Sequence, residues 1–197
     1  MKNITKLALI SSVTSIIFIG CGDSGVRTTQ RRDDSNSSLS FTTALKTTHS
    51  DILKAINRAR AVARDCHDGR GVVGPSVALS WNSELYASAY EHSSDLANSD
   101  TFSHIGSGTS SDITGSNLGH ASKFNERIEA NGYVDFKIIG ENIAGGIDNI
   151  KSVLEAWLNS PEHCKNIMES DYRETGVAVI VNPDSKYGIY WTESFGG

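Results

Sequence analysis

The chain has 197 residues, of which 38% are hydrophobic, 8% aromatic and 21% charged, a make-up that fits one ordinary globular domain and excludes a large multidomain assembly. Eighteen glycines and three prolines without a repeat exclude collagen-like or low-complexity architecture. A net charge of -5 excludes the basic footprint of a nucleic-acid binder, and removing the N-terminal Lys2 and Lys6 would leave the remainder more acidic still.

Met1 to Gly20 opens with those two lysines, runs apolar from Leu7 to Ile19 and ends on a small residue directly before Cys21. This is the layout of a secretory signal peptide; the apolar stretch is shorter than the roughly 20 residues of a spanning helix and contains Ser11, Ser12, Thr14 and Ser15. Phe18-Ile19-Gly20-Cys21 resembles a bacterial lipobox, with Phe18 where Leu is usual. The resemblance implies lipid on Cys21 and anchoring to the membrane of a bacterial cell envelope, with plain secretion as the alternative. Residues 21–47 are rich in Ser, Thr, Asp and Arg and poor in large apolar side chains, so they read as a flexible tether. A folded domain over 48–197 follows.

Ile52, Leu53, Ile56, Ala59 and Ala63 recur at helical spacing, predicting a first helix capped by Ser50 and reaching about Arg64. A second helix is expected after Asn82 through Leu85, Tyr86, Ala89 and Leu96, and a third from about Ser122 to Ala130, stopped by Asn131-Gly132. Residues 103–121, rich in Gly, Ser and Thr, read as a long loop that is either mobile or functional. A fourth helix follows Asp148 through Ile150, Val153, Leu154, Trp157 and Leu158. Ser160-Pro161-Glu162 then reads as N-cap, first-turn proline and an acid suited to the helix dipole, with the Ser160 hydroxyl committed to backbone amides. The tail changes period. Val177–Val181 is a buried-strand run and Ile189–Phe195 alternates, with Asn182-Pro183-Asp184-Ser185 as the turn, predicting a terminal antiparallel hairpin.

Export places Cys66 and Cys164 in an oxidising compartment, so a disulfide between them is the natural expectation, two separate buried thiols being the alternative.

Six segments occur in the order found in the CAP superfamily, the cysteine-rich secretory, antigen 5 and pathogenesis-related proteins, and resemble its bacterial branch. They are Ile56-Asn57-Arg58-Ala59-Arg60, Ala78-Leu79-Ser80-Trp81-Asn82, Phe102-Ser103-His104, Gly140-Glu141-Asn142-Ile143-Ala144, Ala156 to Met168, and Gly176-Val177-Ala178 with Tyr190 to Gly196. The resemblance implies an α+β fold, a three-layer α-β-α sandwich, with a shallow cleft that in many members holds two histidines and two glutamates and a divalent cation on the histidines. His104, Glu141 and His163 match three of these positions, and the fourth falls on Ser160. Two imidazoles and a carboxylate are in themselves a donor set for zinc with water in the fourth place. No HExxH, CxxC or GxSxG string localises such chemistry further.

The remaining candidates have plainer readings. His92 is expected to be a braced side chain within its helix, while His49, His67 and His120 lie in polar, solvated surroundings. Asn142 reads as a brace for its loop. Glu162 is either a helix-dipole partner or a carboxylate at the cleft rim. Trp81, Trp157 and Trp191 are expected in the core. Glu193 is either buried near the cleft or a strand-edge charge. The function expected first is a lipid-anchored envelope module whose His/Glu cleft binds a divalent cation, zinc above all, or a small ligand, and whose partner is a protein, a lipid or cell-wall material. The alternative is a metal-assisted, peptidase-like hydrolase with Glu141 as base and His104 and His163 as metal ligands.

Overall fold

The computed structural model describes residues 46–197; the signal segment, Cys21 and nearly all of the 21–47 tether lie outside the described residues. Helix α1 (His49–Arg60) is capped by Thr48, two residues before the expected Ser50, because Thr48 and Asp51 form a reciprocal capping box: Asp51 N donates to Thr48 Oγ1 at 3.2 Å and Thr48 N to the Asp51 carboxylate at 3.4 Å. It ends at Arg60 rather than Arg64, since Arg64 already belongs to β1 (Arg64–Asp65), which pairs with β2 (Val72–Val73). A short β3 (Ser80–Trp81) leads into helix α2 (Ser83–Ser99), where Asn82 accepts from Glu84 N and Leu85 N as the sequence predicts. Helices α3 (Ile113–Leu118) and α4 (Phe124–Ala130) follow, then β4 (Ile139–Gly145), α5 (Ile150–Leu158), α6 (Pro161–Met168), β5 (Glu174–Val181) and β6 (Ile189–Gly196).

The sheet runs β3-β5-β6-β4, with β5 and β6 forming the predicted antiparallel hairpin, β3 parallel to β5, and β4 antiparallel to β6 at one edge. Because strand side chains alternate between faces, Trp191 and Phe195 meet Ile52, Ile56, Val153, Trp157 and Ile167 from α1, α5 and α6 on one side. On the other, Tyr190 and Ile143 meet Leu96 and Ala97 of α2. This is the three-layer α-β-α sandwich. Helix α2 lies so close to β5 that a Cβ on Gly176 would run into the backbone of Leu85 and Tyr86, which is why that position carries no side chain. Trp157 and Trp191 are buried as expected; Trp81 is only half-buried and stacks on the exposed His49 ring at 4.3 Å.

Cys66 and Cys164 are joined as a disulfide that spans 98 residues of sequence and fastens α6 to the segment behind α1. Among the described residues no helix is long and apolar enough to cross a membrane.

The segment 103–121 is neither mobile in design nor wholly a loop. Two buried aspartates act as its anchors. Asp112 caps α3 through Gly115 N at 3.0 Å and also accepts from Gly108 N, Ser122 N and the Ser122 hydroxyl, while Asp95 of α2 accepts from Ser107 N and from the Ser107 and Ser111 hydroxyls. Burial pushes the Asp112 carboxyl up, but the hydrogen bonds from Ser122, Gly115 and Gly108 outweigh it and hold it below the usual carboxylate range. Asp112→Asn puts an amide NH2 against these donors. It is expected to lower stability by about 1–3 kcal/mol, read as a urea midpoint shift; an unchanged midpoint would show that the segment holds its shape without this carboxylate.

Candidate functional site

Glu141 sits on the edge strand β4 and points to the α2 side, where its carboxylate is nearly inaccessible. His104, on the segment after α2, donates from Nδ1 to Glu141 Oε1 at 2.9 Å. Arg127 of α4, also buried, donates from Nη2 to Glu141 Oε2 at 2.9 Å and to the His104 carbonyl at 2.9 Å. Its Nη1 reaches the Ser122 carbonyl and hydroxyl, so one guanidinium ties both ends of the 103–122 segment to the sheet. His92 of α2 completes the cluster. Fully buried, it donates from Nε2 to the Ser103 carbonyl at 2.9 Å and lies 3.7 Å from Glu141 Oε1.

Burial alone would raise the Glu141 carboxyl, but His92, the His104 hydrogen bond and the Arg127 guanidinium together hold it below the ordinary carboxylate range. His92 is itself pushed down by burial, against the pull of Glu141. Arg127 sets its guanidinium charge directly against the Glu141 carboxylate. A carboxylate so engaged orients its neighbour rather than taking up a proton, because a general base needs a pKa raised toward the working pH.

His163 comes from the opposite layer, in the first turn of α6. The edge strand lies between the two layers, and His163 is near enough to His104 for the two imidazoles to influence one another electrostatically. His163 is half-buried, and its pKa is pushed down first by burial and then by the nearby His104, with the exposed Glu162 pulling the other way. The acid at position 162 thus serves the His163 imidazole as well as the helix N-terminus. Ser160 occupies the N-cap position and Pro161 starts the helix, but the Ser160 side chain makes no capping hydrogen bond, contrary to expectation.

Asn142 is the expected brace. Its Nδ2 donates to the His163 carbonyl at 3.3 Å, and its Oδ1 accepts from Asn166 Nδ2, which also donates to the Glu141 carbonyl at 3.1 Å. Asn166 was within reach of sequence reasoning, since His163 and Asn166 at i and i+3 share one helix face. Arg127 was not, as nothing in its local pattern links it to residue 141. Glu193 is buried on the opposite sheet face, cross-strand from Asn142. His67 and His120 are exposed, as expected.

The donor chemistry bears on a cation directly. Among the described residues no group of three His, Cys, Asp or Glu side chains is arranged to hold a metal ion. His104 uses Nδ1 on Glu141, which leaves the lone pair of Nε2 outward, the arrangement in which a carboxylate braces a metal-ligating histidine from behind. Two imidazoles fit a weakly held cation completed by water, not a closed structural site.

A model of the cysteine-rich secretory protein family, CAP, matches residues 53–195. The uncharacterized membrane protein YlbC of Bacillus subtilis (strain 168) is 33% identical over 117 residues, 59% of this chain and 28% of that protein. An extracellular protein containing a SCP domain from Bacillus anthracis str. Ames superposes with a TM-score of 0.53 at 23% identity, covering 75% of this chain and 39% of that one. An outer surface protein from Borrelia burgdorferi gives a TM-score of 0.51 at 21% identity over 78% of this chain and 91% of that one. These two structures share its fold, and the chain spans little more than a quarter of the length of YlbC.

Proposed function

Because the chain belongs to the cysteine-rich secretory protein (CAP) family, we propose that it is an exported module of the bacterial envelope, held there by lipid on Cys21, which works by binding rather than by catalysis. The cleft ligand is a divalent cation, zinc first, or a small molecule carrying one, taken by His104 and His163, with a protein, lipid or cell-wall partner beyond it. The observation that supports the reading best is the His104–Glu141–Arg127 chain, which fixes one imidazole with its Nε2 outward and commits the carboxylate to orienting it. Burial pushes the His163 pKa down, which favours the neutral form of a second imidazole. Export is supported by the signal layout and by relatives described as extracellular or outer surface proteins.

Calorimetric titration of zinc into the protein is expected to show saturable, weak binding that falls at least tenfold in both His104→Ala and His163→Ala. No saturation, or affinity unchanged in both variants, would end the cation reading. Lipid labelling that persists in Cys21→Ser would end the anchor.

A further inference from the structure

A second concave surface lies on the outer side of α2, formed without any residue of the His104–His163 cleft. It is a groove of about 540 Å³ lined by Tyr86, Tyr90, Glu91, Ser94, Ile113 and Asn131, within the range of roughly 300–1,000 Å³ in which small ligands are held. Tyr90 and Ile113 are 49% and 58% exposed, so their apolar surface is open to solvent. We propose that this groove binds a neutral oligosaccharide, which stacks sugar faces on Tyr86 and Tyr90 and donates a hydroxyl to Asn131.

Three observations select that chemistry. Among the described residues the only acidic side chain lining the groove, Glu91, is spent inside the protein: Thr114 N donates to Oε1 and Asn131 Nδ2 to Oε2, both at 2.7 Å. No cationic side chain of the described residues lines it, and the whole chain is net negative, so the groove offers an anionic ligand no counter-charge. The Asn131 amide is also fixed. Its two hydrogens go to Glu91 and to the Arg127 carbonyl, which leaves Oδ1 as an oriented acceptor.

The walls are rings rather than alkyl chains. Tyr86 and Tyr90 stand 6.1 Å apart and tilted by 48°. From Tyr86 the aromatic surface continues to Trp81 at 5.7 Å, which stacks on His49. Aromatic faces with polar tips match a ligand that is apolar on its ring faces and hydroxylated around its rim, whereas a lipid tail would leave the polar atoms without partners. The length of the ring row favours several sugar units over one.

The test is calorimetric titration of chitotetraose, cellotetraose and maltotetraose, with dodecanoate as the apolar competitor class. Saturable binding of at least one sugar is expected, weakened roughly tenfold or more in Tyr90→Ala and kept within about threefold in Tyr90→Phe, since the ring face and not the hydroxyl carries the contact. Tyr90 is exposed, so its replacement leaves the core intact. His104→Ala should bind the sugar as the parent does, which separates this site from the cation cleft. No binding of any of the three sugars, affinity undiminished in Tyr90→Ala, or saturable dodecanoate binding lost in Tyr90→Ala without sugar binding would each overturn the proposal.

Discussion

Arg127→Met is expected to cost about 3–5 kcal/mol of folding stability, the loss typical when one partner of a buried ion pair is removed. The guanidinium has almost no solvent exposure, and four acceptors depend on it: Glu141 Oε2, the His104 carbonyl, and the Ser122 carbonyl and hydroxyl. A methionine fills much the same space but leaves the buried Glu141 carboxylate without its guanidinium partner. Since the folded carboxyl is held below the unfolded value of 4.5, its stabilising contribution is present above that pH and is lost as the pH falls through the folded pKa. In Arg127→Met this acid-limb dependence should weaken or reverse. Chemical denaturation at neutral pH and on the acid side of 4.5 reads both effects, and adding Glu141→Gln should recover part of the loss, because it removes the unpaired charge. A midpoint within about 0.5 kcal/mol of the parent would mean that the ion pair does not hold the segment to the sheet.

Glu193→Gln is expected to act in the other direction and stabilise the protein. Burial pushes the Glu193 carboxyl up to about 8, against the opposing pull of Thr175, Arg60 and Asn142. Its Oε2 and the Arg60 Nη2 are both buried without a hydrogen-bond partner among the described residues, so the nearby cation does not relieve it through a direct contact. Below about pH 4.5 folded and unfolded chains both carry the proton and the residue has no penalty. Between that value and about 8 the unfolded chain releases its proton while the folded one keeps it, so stability declines with rising pH and levels off above. At roughly 1.4 kcal/mol for each pH unit the ceiling on the gain is on the order of 5 kcal/mol, and a few kcal/mol at pH 8 is the expected result. A glutamine profile that runs parallel to the parent across this window would refute the assignment.

The helices were legible wherever a periodic apolar face coincided with local chemistry. Asn82 and the Asn131-Gly132 pair fixed boundaries because a cap is decided by neighbouring residues alone. The hairpin was legible for the same reason, having turn residues between two runs of period two. Strand β4 escaped because it is covered on both faces, with Glu141 in its centre, so it shows no contrast between wet and dry sides. Helix α3 escaped because much of its support is tertiary: Thr114 N donates to Glu91 of another helix, and the Asp112 carboxylate is held in place by Gly108 and Ser122. At the site, family resemblance brought His104, Glu141 and His163 forward, while the cation that decides what Glu141 does came from an arginine with no positional signature. Glu193 could be narrowed to two readings, and only the packing of α1 over the sheet decides for the buried one.

The Asn166 side chain has one more effect, through the Glu141 carbonyl it occupies. Two residues along, the Ile143 carbonyl is likewise taken, by Trp157 Nε1 at 3.0 Å. These atoms belong to the outermost strand, where bare amide groups would invite another polypeptide to add on and start fibrous aggregation. The two helix-borne donors therefore serve as plugs, and the protein gains a safeguard against sticking to its own copies, part of it from the same asparagine that braces Asn142.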